Sequence, residues 1–306
     1  MSPNFTIEIP LGVPTPGEFQ TLDAIAEMAA ALEKAGFDAA FVTDHPSPDT
    51  HWLHQGMGHD ALDPFAALMA LGSASRKLKL HTNIVVAGYR NPLLLAKCAA
   101  TVQTLSNGRL ILGMGAGYQK VEFDALGSEF KRRGKLFDEV LEVLRLAWSG
   151  GPISYRGMDF DAVEVEPRPA LAAPPPLWIG GSSPAALERA GKYGDGWCPF
   201  FAAKGMSAAN RDIAVVDIPD FKERVARIEE VRAREDRTGP FDLSAGPPVK
   251  VGWLGDGDVS AYVDAVGEMA EAGVNWISSM PPHASRAQYI EAVDWYGSEV
   301  IAKFRT

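Results

Sequence analysis

Cysteine is scarce in this chain: Cys98 and Cys198 are the only two among 306 residues. Two distant thiols build no disulfide framework and suit a reducing compartment. Long apolar runs are missing as well; none approaches the roughly 18 residues that a membrane span requires. The N-terminus has neither the basic nor the apolar region of a secretory leader, so a soluble, cytoplasmic protein with no membrane partner is expected. Positive charge is in deficit: 29 Lys and Arg against 39 Asp and Glu give a formal charge of −10. Without a long basic cluster, no nucleic-acid surface is expected, and a small molecule is the anticipated partner. Metal-site spacing is lacking too. His51, His54 and His59 share one loop, but H-x-x-H-x-x-x-x-H fits no zinc pattern and no metal is predicted.

What is present is enough apolar residue, 46% of the chain, to fill a large core. The clearest architectural unit lies between Leu78 and Gly117. Leu78–Val86 reads as a buried strand, Asn91 and Pro92 open a helix that runs to about Leu105, and Arg109–Met114 reads as a second buried strand. Two buried strands joined by such a helix are parallel neighbours, because a hairpin cannot hold a crossover helix. The same cap-plus-proline device recurs at Asp63-Pro64 and Ser183-Pro184.

The rhythm extends over the whole chain. Further strands are predicted at Phe5–Ile9, Phe37–Val42, Leu177–Gly181, Gly196–Phe200, Val249–Leu254 and Val274–Met280, which makes eight. Helices are predicted over Thr21–Lys34, Lys135–Trp148, Asp220–Arg237, Val259–Ala272 and Arg286–Lys303. Ile153–Val165 reads as a β-hairpin outside that count, and Tyr118 to Gly134 and Phe201 to Pro219 read as irregular. Eight βα units close most economically as a single (β/α)8 barrel domain over residues 1–306, with a doubly wound sheet as the competing architecture. In a barrel the functional residues gather where strands end.

Those ends carry the candidates. His45 follows Asp44 at the end of the second strand, where an imidazole can act as general acid or base near neutral pH. Gly180-Gly181-Ser182-Ser183 joins a strand to a helix. Its N–H groups and hydroxyls suit a phosphate against the helix dipole; the alternative is a tight turn with Ser183 as an ordinary cap. Gly113, Gly115 and Gly117 do not match the dinucleotide fingerprint, because the third glycine comes one residue early and no acidic residue closes a following strand. Those glycines either admit a flat ring or serve a tightly packed strand. Trp52, Phe200, Phe201 and Trp253 are candidates for an apolar pocket wall, and Lys131, Arg132 and Arg133 for a solvated charged run.

Taken in order, Ala35-Gly36-Phe37 through Thr43-Asp44-His45, Thr82-Asn83-Ile84, Arg90-Asn91-Pro92, Asn107-Gly108-Arg109 through Gly117, and Gly180-Gly181-Ser182 resemble the luciferase-like flavin and deazaflavin oxidoreductases. The resemblance implies a (β/α)8 barrel with inserted loops, commonly a homodimer, that holds a flavin-type ring at the strands' C-terminal face. The Thr-Asp-His at the second strand end looks like the branch that uses the deazaflavin coenzyme F420. It implies that His45 lies by the ring and handles a proton, aided by Tyr118 or His54. Asp44, Asn83, Ile84, Val85, Gly115, Ala116, Gly117, Gly180, Gly181, Ser182 and Ser183 would line the cofactor, with a cis peptide at Asn83–Ile84. Sugar-phosphate dehydrogenases of this branch carry an acid just after the glycine-rich strand, where this chain has Tyr118 and Gln119; that departure argues against sugar-phosphate oxidation. The implied activity is hydride transfer between F420 and a small organic substrate. The alternatives are an FMN-dependent monooxygenase served by a flavin reductase, and a flavin-binding protein without turnover.

Overall fold

The computed structural model describes residues 2–13, 15–54, 58–201 and 214–305. In chain order the elements are β1 (Asn4–Glu8), α1 (Leu22–Ala35), β2 (Ala39–Val42), α2 (Thr50–His54), α3 (Pro64–Ala74), β3 (Lys79–Val86), α4 (Pro92–Leu105) and β4 (Leu110–Gly115). Then come α5 (Lys120–Ala125), α6 (Arg133–Trp148), β5 (Ile153–Arg156), β6 (Asp161–Val165), β7 (Leu177–Gly180), α7 (Pro184–Tyr193) and β8 (Gly196–Cys198). The last are α8 (Ile218–Arg234), β9 (Asp242–Ala245), α9 (Val259–Glu271), β10 (Trp276–Ser279) and α10 (Arg286–Tyr296). Eight strands close in the order β1-β2-β3-β4-β7-β8-β9-β10, each parallel to its neighbours, and β10 returns to β1. This is a (β/α)8 barrel, and β5 and β6 form the predicted antiparallel hairpin outside it.

Local chemistry starts the helices where expected. The Asn91 side chain accepts from Leu93 N and Leu94 N, Asp63 from Phe65 N and Ala66 N, and Ser183 from Ala186 N, with proline in the first turn each time. Outward-facing strand residues such as Phe5, Ile7 and Leu112 pack under the helices. Inside the barrel, Ala39, Ile111, Trp178, Cys198 and Trp276 form a second apolar cluster, against which Ile84 packs.

One strand assignment fails. Val249–Leu254 is not a strand: it follows Pro247-Pro248, and Gly252 (φ 64°) and Leu254 (φ 59°) both turn left-handed. The strand is Asp242–Ala245 instead, whose polar composition hides it. Asp242 faces the barrel interior and accepts from Trp178 Nε1 (3.2 Å), Trp276 Nε1 (3.3 Å) and Asn275 Nδ2 (2.8 Å), so its polarity serves the buried indoles. The stretch from Tyr118 to Gly134 is also more ordered than its composition suggests, since α5 lies within it. Phe201 forms a parallel bridge with Val215; residues 202–213, the middle of the predicted irregular stretch, lie outside the described residues.

Candidate active site

β2 delivers Asp44 and His45 to the C-terminal rim of the barrel, and β3 runs beside it. Asp44 is buried, and both its oxygens are taken: Arg90 grips them at 2.6 and 2.9 Å, and Val86 N donates to Oδ2 at 3.1 Å. It therefore ties the end of β2 to β3 and to the loop that opens α4. Arg90 also reaches Asp63, the cap of α3, at 3.2 Å.

His45 stands in a ring of polar and aromatic groups. Its Nδ1 lies 3.2 Å from Glu122 Oε2 and 3.3 Å from Gln119 Nε2. Glu122 is fully buried and also accepts from Tyr89 Oη (2.6 Å) and Ser47 N (3.0 Å). Three rings pack on the imidazole: Trp52 at 4.6 Å, His59 at 5.3 Å and Tyr118 at 6.0 Å between centroids. Burial pushes the His45 pKa below the ordinary histidine value, and Glu122 offsets part of that fall. Burial raises the Tyr118 hydroxyl, which stays protonated although the residue as a whole is exposed at the rim. His54 is exposed at the end of α2; the histidine of that loop whose ring meets His45 is His59. Residues 55–57 between them lie outside the described residues.

Beside this cluster β3 carries a bulge. Thr82 pairs with Leu112 and Val85 with Met114, so β3 spends one residue more than β4 between those pairs. The extra residue falls at Asn83–Ile84, whose peptide bond is cis. Val85 is fully buried behind it. The Ile84 side chain lies across two glycines: a Cβ on Gly115 would stand 2.5 Å from Ile84 Cδ1, and one on Gly180 would stand 3.2 Å from Ile84 Cγ2. Packing thus accounts for glycine at both positions. Ala116 leads into Gly117, which has φ 78° and would bring a Cβ within 2.6 Å of Val86, so only glycine fits the turn into α5.

The turn after β7 is held by its own neighbours. Gly181 has φ 96°, its carbonyl accepts from Trp197 Nε1 at 2.8 Å, and Arg224 donates to the Ser182 carbonyl. The Ser182 hydroxyl is buried without a hydrogen-bond partner among the described residues, at the entry to a helix N-terminus. A buried hydroxyl of this kind calls for an acceptor, and a phosphate oxygen would fit that need. Ser183 spends its hydroxyl on capping α7 through Ala186 N at 3.3 Å.

A cavity of about 730 Å³ opens over the ends of β3, β8, β9 and β10. Its wall includes Asn83, Phe200, Phe201, Trp253 and Met280, with Lys250 among the polar groups. His45 is not on that wall; Asn83, on the strand next to β2, is. Of the aromatics anticipated as a pocket wall, three line this cavity and Trp52 packs on His45 instead. Of the charged run, Arg132 pairs with Asp159 at 2.8 Å and Arg133 lies over the Phe130 ring.

Glu122, Tyr89 and His59 were not foreseen as site residues. Glu122 sits in a six-residue helix, too short to show a period, and meets His45 from 77 positions away in sequence. The adjacent Phe123, buried under Gly88 and Gly117, is the sole sequence hint that this polar stretch turns inward.

Known proteins share this architecture. The F420-dependent hydroxymycolic acid dehydrogenase of Mycobacterium tuberculosis is 28% identical over 94% of this chain and 86% of its own length. The F420-dependent glucose-6-phosphate dehydrogenase of Amycolatopsis mediterranei is 30% identical over 72% of this chain and 64% of its own. Among solved structures, an F420-dependent secondary alcohol dehydrogenase with an F420-acetone adduct superposes with a TM-score of 0.74 at 19% identity, covering 99% of each chain. The FMN-bound oxygenating component of a type II Baeyer–Villiger monooxygenase from Pseudomonas putida superposes with a TM-score of 0.72 at 14% identity, again over 99% of each. The family described as luciferase-like monooxygenase matches residues 5–293, and this chain belongs to it.

Proposed function

We propose that this protein is an F420-dependent oxidoreductase that moves a hydride between the deazaflavin coenzyme and a small organic substrate. The observation that carries the reading is the meeting, on adjacent strand ends, of a histidine held by a buried carboxylate and the bulged Asn83–Ile84 segment. The resident chemistry belongs to the coenzyme when it is bound: the deazaflavin ring accepts or gives the hydride. The chain's own residues orient the ring and handle the proton. Ile84 would back the ring, with Gly115 and Gly180 kept small beneath that side chain. Gly181 and Ser182, at the N-terminus of α7, would hold the phosphate of its tail.

His45 is the proton-handling residue. With Nδ1 engaged by Glu122, Nε2 remains to take a proton from an alcohol or, once the ring is protonated, to give one to a ketone as hydride moves. Tyr118, protonated at neutral pH, assists from the rim. The walls formed by Phe200, Phe201, Trp253 and Met280 favour an organic alcohol, ketone or activated alkene over a strongly hydrated sugar. From its two free thiols and the family resemblance we infer a cytoplasmic homodimer.

Replacing His45 with Ala tests the proton role. The expected result is a turnover loss of roughly 10²–10⁴-fold with coenzyme affinity retained within a few-fold. Unchanged turnover would remove His45 from the chemistry.

A further inference from the structure

We propose that Glu122 is a positioning residue that fixes His45 as its Nδ1–H tautomer, in competition with Gln119, and so leaves the lone pair on Nε2. The inference deepens the function proposed above and rests on the reading of His45 as the group that handles the proton.

Two neighbours lie almost equally close to one ring nitrogen and ask opposite things of it. Gln119 Nε2 is 3.3 Å from Nδ1, and its amide orientation is set because Oε1 accepts from Asp49 N at 2.9 Å. The Gln119 NH₂ group therefore faces Nδ1 as a donor and favours a lone pair there. Glu122 Oε2 is 3.2 Å from the same atom. Tyr89 Oη donates to that oxygen and Ser47 N to its partner, so the carboxylate presents lone pairs to Nδ1 and favours a proton there.

Charge decides the contest. A hydrogen bond to an ionised acceptor is roughly twice as strong as a neutral one, and the fully buried carboxylate is poorly screened by water. The other groups around the imidazole are Asp44 on its own strand end, bound by Arg90, and the rings of Trp52, His59 and Tyr118. Only Glu122 and Gln119 hydrogen-bond to the His45 ring among the described residues. The pair thus selects the tautomer: with the carboxylate present Nδ1 carries the proton, and with an amide in its place the Gln119 donor prevails and the proton moves to Nε2. In the second state a neutral His45 has no base to offer a substrate hydroxyl.

Long-range ¹⁵N–¹H correlation spectra of the ¹⁵N-histidine-labelled full chain, without coenzyme at pH 8, read this directly. The His45 resonances are those lost in His45→Ala. The expected wild-type result is a protonated Nδ1 and an unprotonated Nε2. Glu122→Gln is expected to move the proton to Nε2, to lower kcat by at least 10²-fold, and to leave F420 affinity within a few-fold. Gln119→Leu is expected to keep the wild-type tautomer, which a general packing role for the cluster would not predict. A wild-type protein with the proton on Nε2 overturns the proposal even if Glu122→Gln does not fold, and so does a folded Glu122→Gln that keeps the proton on Nδ1. Since the spectra need no coenzyme, failure of the functional reading leaves a different trace: the predicted tautomer in a protein that does not turn over F420.

Discussion

His81 provides a prediction whose size follows from burial alone. It lies on β3, two residues before Asn83, with its side chain among the interior rings of the barrel. The side chain is fully buried, edge-on to Trp178 at 4.8 Å and to Phe41 at 5.9 Å, and neither ring nitrogen has a partner among the described residues. Desolvation pushes its pKa from 6.5 down to about 3. In the unfolded chain the imidazole takes a proton near pH 6.5, while in the folded barrel it refuses one until about pH 3. The unfolded state therefore binds more protons in that window, and stability is lost as pH falls through it. At about 1.4 kcal/mol per pH unit, the loss from this one group is about 2 kcal/mol by pH 5. His81→Leu removes the titration and keeps an apolar filling of similar size. Urea unfolding of both proteins at pH 7 and pH 5 should show the variant gaining about 2 kcal/mol relative to wild type on acidification. Parallel losses in the two proteins would refute a buried, neutral His81.

Two further changes probe the frame of the site. Arg90→Ala strips the buried Asp44 of its bidentate partner and should cost about 3–5 kcal/mol, read as a lowered urea midpoint, because an uncompensated carboxylate remains inside. A loss below about 1 kcal/mol would mean that water reaches Asp44. Gly181→Val places a branched side chain at φ 96° in the turn after β7 and should weaken F420 binding at least tenfold while the barrel still folds, measured by fluorescence titration and circular dichroism. Undiminished affinity would take the turn out of the coenzyme site.

How much of this was legible depends on how local the cause is. Asn91-Pro92, Asp63-Pro64 and Ser183-Pro184 announce helix starts because the capping oxygen and the N–H groups it satisfies lie within three residues. Seven of the eight barrel strands were legible for the same reason, since each reads as an apolar run bounded by turn residues. β9 was not, because Asp242 and Ser244 face a barrel interior whose indole N–H groups need an acceptor, a demand set by Trp178 and Trp276 elsewhere in the chain. His45 was legible by its place at a strand end. Its partners were not: Glu122 reaches it from 77 positions away, Tyr89 in turn bonds Glu122, and His59 rather than His54 supplies the ring that meets it.

The coenzyme is the centre of the account, and a fluorescence titration of the purified protein with oxidised F420, run in parallel with FMN, tests it most directly. Tight, saturable binding of F420 with much weaker binding of FMN is the predicted result, and Gly181→Val should reduce it. Preference for FMN would move the protein to oxygen-dependent chemistry, and binding of neither would contradict the assignment of Gly180, Gly181, Ser182 and His45 to a coenzyme site.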